Sequence, residues 1–295
     1  MLRITPMPAS KGAADEARRS LKQRLRAGEI LIGCLLAYPS PWLVEVLGLT
    51  GHDFVMLDLE HEPFNDESVA EIIRVAGAVN LPAIVRMAAT DRFVPFLSAG
   101  AGGLQVPGLR DAEHLREVVN LTRMPPLGRR SYYAQTRSAR YGLGVDEAQI
   151  LRDRDDDFLL IGMIESIETV RSLEDMLSVE GVDAFHIGPL DLAQSMGNPA
   201  PEAVEAVISQ VVRRCRDAGK HVAVGVITPW NQESVRRRIE QGVQIFGIAS
   251  AWFLTHAIGS FFNEVNQQLR PGERSGPVAP PLAHNPYLTD PESIG

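Results

Sequence analysis

Short, almost wholly apolar runs recur along the chain and alternate with stretches in which apolar residues stand three or four positions apart. The runs indicate strands that are covered on both faces, and the spaced stretches indicate amphipathic helices. Eight strands are predicted in this way, at residues 30–37, 53–59, 82–87, 103–107, 158–165, 184–189, 221–227 and 244–250. Helices are predicted at residues 14–27, 66–79, 111–122, 167–178, 201–218, 229–241 and 252–269.

Strands that alternate with crossover helices predict a closed parallel (β/α)8 barrel of the TIM type rather than an open sheet. The predicted barrel occupies residues 14–270, between a polar N-terminal segment at 1–13, which we expect to be mobile, and a Pro-rich C-terminal tail at 271–295. The connection at 123–157 has no strand pattern, so we expect a long functional loop with a short helix.

The amino-acid composition limits the kinds of molecule that we expect the protein to bind. The formal net charge is -8 and the sequence pI is about 5.4, which argues against a general nucleic-acid-binding surface. The two cysteines give no disulfide framework. Neither a signal peptide nor a run of about 20 apolar residues that could span a bilayer is evident. We therefore expect a cytoplasmic enzyme that binds neither nucleic acid nor membranes.

Two carboxylates lie at the ends of consecutive predicted strands, Glu165 and Asp191. In a parallel barrel the C-terminal strand ends open on the face that carries the active site. Two carboxylates there can hold one hard divalent cation and leave positions for a substrate. The turn at Gly188 and Pro189 leaves backbone N–H groups for a substrate carboxylate. The alternative is that each acid only caps the helix that follows it.

Further polar residues end the second and third strands. Asp58 precedes His61 in the sequence DLEHEP, so an Asp–His dyad competes with an ordinary polar loop. Arg86 lies in the apolar strand AIVRM, where a guanidinium is costly unless it meets an anion. It therefore either stabilises an oxyanion of the substrate or forms a structural ion pair inside the barrel.

Six segments occur together in the order and spacing of one family: DFVMLDLEHEPFN, AIVRM, GAGGLQVPGLRDAEHLREVV, PPLGRRS, GMIES and EGVDAFHIGPLDLAQSMG. On these segments the chain resembles the HpcH/HpaI aldolase family, the class II pyruvate aldolases that depend on a divalent metal ion. The resemblance covers roughly residues 21–269. It implies a barrel of the phosphoenolpyruvate/pyruvate-domain type whose last helix swaps onto a neighbour, in hexamers built as trimers of dimers.

The resemblance assigns the metal and the acid–base group. Glu165 and Asp191 would bind the metal ion, which is Mg²⁺ or Mn²⁺ with Co²⁺ or Zn²⁺ as alternatives. His61 would be the acid–base residue, oriented by Asp58.

The resemblance also assigns the substrate contacts. Arg86 would bind the oxo oxygen of pyruvate and stabilise its enolate, and the backbone around Leu190, next to Gly188 and Pro189, would hold the pyruvate carboxylate. Met163 lies near the pyruvate site at a position where many members have Gln, which removes a polar group from it. His186 stands where many members have Phe.

The implied reaction is the reversible cleavage of a 4-hydroxy-2-oxo acid to pyruvate and an aldehyde. The segment GRRS resembles macrophomate synthase, a member of the family that acts on oxaloacetate. Decarboxylation of oxaloacetate followed by addition of the enolate to an acceptor, as in macrophomate-type or citrate-forming relatives, is therefore an alternative. A binding protein without catalytic activity is a further alternative, which the presence of Glu165, Asp191, Arg86 and His61 opposes.

Overall fold

Eight parallel strands close into a barrel in the order in which they occur in the chain. The computed structural model describes residues 19–89, 92–144, 146, 157–226 and 232–269. The strands are β1 (Leu31–Leu36), β2 (Phe54–Asp58), β3 (Ala83–Arg86), β4 (Gly103–Val106), β5 (Leu159–Ile164), β6 (Ala184–Ile187), β7 (His221–Val226) and β8 (Ile245–Ala249). The predicted TIM barrel is thereby confirmed.

Helices surround the barrel and connect its strands. Within the described residues they are α1 (Leu21–Arg26), α2 (Pro41–Leu49), α3 (Asp66–Ala78), α4 (Phe93–Ala99), α5 (Ala112–Thr122), α6 (Ile167–Arg171), α7 (Leu173–Leu177), α8 (Pro189–Ser195), α9 (Pro201–Asp217), α10 (Gln232–Gln241) and α11 (Ser250–Gln268). The helix predicted at 167–178 is divided into α6 and α7 at Ser172. The predicted segments at 1–13 and 271–295 lie outside the described residues. None of the described helices is both long and apolar enough to cross a membrane.

The core has two layers. Alternate side chains of the strands point into the barrel, and a separate hydrophobic cluster fills its interior: Leu31, Phe54, Met56, Ile84, Leu159, Ile161, Ala184, Ala223 and Ile245, together with Leu21 and Leu25. The other strand side chains pack outward against the helices in a larger cluster. Strands that are covered on both faces explain why their sequences are almost wholly apolar.

Helix α1 closes the N-terminal end of the barrel. Its Leu21 and Leu25 are 2% and 1% exposed and belong to the interior cluster. Lys22 forms an ion pair with Asp183, which precedes β6, with a nitrogen-to-oxygen distance of 2.9 Å. Among the described residues, α1 therefore seals the interior at this end of the barrel.

The long connection after α5 lies at the sealed end, because it leads into the N-terminal end of β5. Its described part contains a 3-10 turn at Arg137–Gly142, and the short helix that we expected stays a prediction. The Arg137 guanidinium donates a hydrogen bond to the Ala99 carbonyl at the end of α4, over 3.1 Å. Through Arg137 this part of the loop therefore contacts the end of α4, and the functional role that we expected of the loop stays a prediction.

Candidate active site

Strand ends bring the predicted polar residues to one end of the barrel. Asp58 and Arg86 are the last residues of β2 and β3, and they are register partners in the sheet. Glu165 directly follows β5. Asp191 lies in the first turn of α8, just after β6. All four thus occupy the C-terminal end, where the βα loops of a TIM barrel build the active site.

Arg86 is held by a two-point ion pair with Asp58. Its Nε lies 2.8 Å from Asp58 Oδ1, and its Nη2 donates to Asp58 Oδ2. Burial alone would raise the pKa of the Asp58 carboxyl, but the hydrogen bonds and charge of Arg86, with two backbone N–H groups, outweigh burial and lower that pKa. Arg86 Nη1 makes no hydrogen bond to any residue that the structure describes. The ion pair fixes the guanidinium plane and leaves this donor for a ligand.

The expected contact between the Asp58 carboxylate and the His61 imidazole is replaced by a different one. Asp58 Oδ1 accepts the backbone N–H groups of Glu60, at 3.0 Å, and His61, at 3.4 Å, and the carboxylate also accepts from the Arg86 guanidinium. The His61 side chain is 63% exposed, and its Nε2 lies 3.7 Å from Glu60 Oε2. The reason is sheet register, which places Asp58 beside Arg86, 28 positions away in sequence. Glu60, rather than Asp58, is therefore the carboxylate next to the imidazole.

Glu165 and Asp191 flank Gly188. A Cβ atom added at Gly188 would lie 3.2 Å from Glu165 Cβ and 3.7 Å from Asp191 Oδ2. Glu165 accepts a hydrogen bond from the backbone N–H of Gly108. Burial raises the pKa of the Glu165 carboxyl, and the negative charges of Glu60 and Asp191 add to the increase, against the opposing hydrogen bond from Gly108 and charge of Arg86. The site thus holds carboxylates whose mutual repulsion a bound cation would relieve.

The donor set fits a hard divalent ion that keeps open coordination positions. The described residues contain no group of three or more His, Cys, Asp or Glu side chains that could hold a metal. Two carboxylates, with the remaining positions filled by water or substrate oxygens, are a typical arrangement for Mg²⁺ or Mn²⁺. Structural zinc sites instead use four protein ligands, often sulfur or imidazole.

A cavity of about 220 Å³ extends from this end into the barrel. Several of the predicted residues line it, namely His61, Arg86, Met163, Gly188, Pro189, Leu190 and Asp191. Asp58 lies behind Arg86 and is 1% exposed. The inner walls are largely apolar and include Leu35, Phe54, Met56, Ala223 and Ile245. The cavity therefore combines a polar mouth with an apolar interior, which is typical of small-molecule sites.

Two polar residues of the cavity wall were not predicted, Gln105 on β4 and His186 on β6. Burial, and after it the positive charge of Arg86, lowers the pKa of His186 to about 3, so the ring is neutral at ordinary pH. Both residues interrupt strands that are otherwise apolar, GLQV and AFHI. The same reasoning that selected Arg86 from its strand would have found them.

Comparison with known proteins places the chain among aldolases and lyases. Residues 31–252 match the family model described as HpcH/HpaI aldolase/citrate lyase. The 4-hydroxy-2-oxo-heptane-1,7-dioate aldolase of Shigella sonnei is 33% identical over 229 residues, which cover 76% of this chain and 85% of the relative. The pyruvate aldolase of Rhizobium etli is 34% identical over 214 residues, with 70% and 82% covered. The crystal structure of the citrate synthase SbnG superposes with a TM-score of 0.74 at 31% identity, covering 84% of this chain and 98% of that one.

Proposed function

Because the chain belongs to the HpcH/HpaI aldolase/citrate lyase family, we propose that it is a metal-dependent carbon–carbon lyase that reversibly cleaves a 4-hydroxy-2-oxo acid to pyruvate and an aldehyde. The observation that carries the proposal is that Arg86 and Asp191 line one cavity, while Glu165 and Asp191 flank Gly188 on its wall. Relatives at 33% and 34% identity are named for a 4-hydroxy-2-oxo acid and for pyruvate, which supports this substrate class.

Glu165 and Asp191 would hold the metal ion, Mg²⁺ or Mn²⁺, through carboxylate oxygens on either side of Gly188. When bound, the ion supplies positive charge beside the oxo and carboxylate oxygens of the substrate, where negative charge accumulates during the reaction. The backbone N–H groups around Leu190, at the start of α8, would bind the substrate carboxylate.

Arg86 would bind the oxo oxygen of the substrate. Asp58 holds the guanidinium at two points, so the donors that remain are already oriented before the substrate arrives. As electrons move onto that oxygen, the charge–charge attraction to Arg86 grows, and this lowers the barrier to bond breaking.

His61 would take the proton of the 4-hydroxyl group, since it stands at the mouth of the cavity with Glu60 close enough to stabilise an imidazolium. Loss of that proton turns the carbinol carbon into an aldehyde, and the electrons of the bond between carbons 3 and 4 pass to carbon 3. The resulting enolate gains a proton at carbon 3 to give pyruvate. Addition of pyruvate to an aldehyde runs through the same steps in reverse.

The test is a panel of aldehydes offered with pyruvate after chelation and the return of single metal ions. We expect carbon–carbon bond formation to stop on chelation and to return with Mg²⁺ or Mn²⁺. Full activity in excess chelator would contradict the metal requirement. Failure to form a product with any aldehyde would contradict the aldolase assignment itself.

The second candidate is an enzyme that decarboxylates oxaloacetate and adds the enolate to an acceptor. The structural similarity to a citrate synthase at 31% identity favours it. Product analysis with oxaloacetate, with and without an aldehyde, separates the two. Release of CO₂ that is coupled to product formation, without turnover of pyruvate, would select this candidate.

We further propose that α11 packs against a second copy of the chain, as part of a homo-oligomer. Within this helix only Ser250 is buried. Leu254, Ile258 and Phe261 are 53%, 54% and 60% exposed and share one face, because their spacing is four and three residues. A hexamer with a swapped terminal helix, as the family resemblance implies, would cover this face.

A further inference from the structure

Two polar side chains of the cavity wall have no part in the proposed chemistry, Gln105 and His186. They belong to β4 and β6, on either side of β5, whose Met163 lies between them on the wall. Met163 and His186 are register partners, and so are Arg86 and Gln105. The four side chains thus form a continuous arc across neighbouring strands, which begins at Arg86.

Gln105 has a buried acceptor without a partner. Its side chain is 1% exposed, and its Nε2 donates to Met163 Sδ over 3.3 Å, which is a weak acceptor. Its Oε1 is buried and makes no hydrogen bond within the described chain. Turning the amide over would bring Oε1 against the thioether sulfur, so the free atom is the carbonyl oxygen. A buried acceptor without a donor destabilises the ligand-free fold, which is unusual unless a ligand supplies the donor.

His186 presents a neutral imidazole to the same cavity. It is half-buried and lines the cavity, and among the described residues its ring has no hydrogen-bond partner. A neutral imidazole carries one N–H donor and one acceptor nitrogen. Together with the free carbonyl of Gln105, the wall therefore offers one donor and two acceptors, with no net charge.

We propose that Gln105 and His186 form a polar subsite for a hydroxyl group on carbon 3 of the 2-oxo acid. A hydroxyl donates one hydrogen bond and accepts others, which matches an uncharged pair of this kind. The choice of carbon 3 rests on the proposed function, in which Arg86 binds the oxo oxygen on carbon 2. Gln105, the register partner of Arg86, is then next to the adjoining carbon.

The test compares two 2-oxo acids of the same size, 3-hydroxypyruvate and 2-oxobutanoate, which differ only by a hydroxyl in place of a methyl group. Their dissociation constants are measured by calorimetry with the Mn²⁺-loaded protein, and pyruvate serves as the reference ligand. We expect the wild type to prefer the hydroxyl compound by roughly 10-fold, the effect of one or two hydrogen bonds to a ligand. Gln105→Leu and His186→Phe should each remove most of this preference.

The matched control is Gln135→Leu, the same chemical change at an exposed glutamine outside the cavity. It should leave the preference at the wild-type value. The melting temperatures establish that the variants are folded and give a second readout. Gln105→Leu removes the unpaired acceptor, so the ligand-free protein should melt roughly 2–4 °C higher than the wild type.

The outcomes separate this subsite from the proposed function. Binding of pyruvate without any preference for 3-hydroxypyruvate, or a preference that survives both cavity variants, overturns the subsite and leaves the aldolase proposal standing. Binding of none of the three acids overturns both. A preference that is lost in Gln105→Leu and His186→Phe, and kept in Gln135→Leu, establishes the subsite.

Discussion

At the level of single residues, the proposed chemistry depends most on the two carboxylates that flank Gly188. Glu165→Gln and Asp191→Asn each remove one charge while they keep the shape of the side chain. We expect either change to abolish lyase activity and to weaken Mn²⁺ binding, measured by calorimetry, with the circular dichroism spectrum unchanged. Asp175→Asn, the same change at an exposed helix position, should affect neither property. Wild-type Mn²⁺ affinity in both site variants would place the metal elsewhere.

Arg86 illustrates how an ion pair can be structural and functional at once. Lysine in its place keeps the charge but loses the planar fork that satisfies both oxygens of Asp58. We expect Arg86→Lys to lower turnover roughly 10²-fold or more, the effect of losing one oxyanion donor. The control is Arg74→Lys, since Arg74 forms a comparable fork with Glu71 on the exposed face of α3. Near-normal turnover in Arg86→Lys would reduce Arg86 to a structural role.

His61 can be tested by separating two proton transfers. Cleavage requires removal of the 4-hydroxyl proton, whereas exchange of the pyruvate methyl protons requires only enolate formation. His61→Ala should therefore slow cleavage more than it slows deuterium exchange into pyruvate, which is followed by NMR. Because the His61 side chain is exposed, we expect the variant to fold like the wild type. Equal losses in both reactions would show that the proposed role for His61 is wrong.

At the level of elements, the turn from β6 to α8 lies between the two carboxylates that we propose to bind the metal. Gly188 has φ −91° and ψ 97°, so alanine suits its backbone, but the added Cβ would lie 3.2 Å from Glu165 Cβ. We expect Gly188→Ala to displace Glu165 and to weaken Mn²⁺ binding on the order of 10-fold. Gly102→Ala is the matched control, because its Cβ would lie 3.2 Å from Pro82 Cβ at the sealed end of the barrel. A similar loss in both variants would indicate general destabilisation.

Elements differ in how well the sequence predicts them. All eight strands were predictable, since burial on both faces makes their sequences continuously apolar. Among the described helices, α2, α4 and α8 were not in the predicted set. The sequence of α2, PWLVEVLGL, is too apolar for an amphipathic period, and α4, FVPFLSA, contains a proline and begins without a capping side chain. Ser40 and Pro41, a cap followed by proline in the first turn, were the local signal for α2.

The sequence also predicts some features of the candidate site and not others. The positions of Arg86, Glu165 and Asp191 at strand ends follow from the alternation of strands and helices. The pairing of Asp58 with Arg86 depends on register between β2 and β3, which local spacing does not encode. The sequence therefore suggested His61, three positions away, as the partner of the Asp58 carboxylate, whereas the structure pairs that carboxylate with Arg86.

At the level of the whole molecule, α11 presents an apolar face that its own barrel leaves uncovered. Leu254, Ile258 and Phe261 lie within about 60° of one another around the helix axis, because each residue turns the helix by about 100°. Single exposed apolar side chains are ordinary, but a continuous stripe of large ones on a terminal helix is typical of an interface. If a second copy covers the stripe, the folded state is stabilised by association and depends on protein concentration.

The assembly is tested by charge placed on one face of α11 or the other. Ile258→Glu puts a carboxylate in the middle of the stripe, so we expect the oligomer to dissociate or aggregate, as removal of all residues after Ala251 should also cause. Asn263→Glu adds the same charge about 140° from Ile258, on the opposite side of the helix from the stripe, and should leave the oligomer intact. Light scattering across a range of concentrations gives the mass, and lyase activity on dilution shows whether the neighbour also contributes to the site. A stable, fully active wild-type monomer at nanomolar concentration would contradict the interface and leave α11 as an exposed terminal helix.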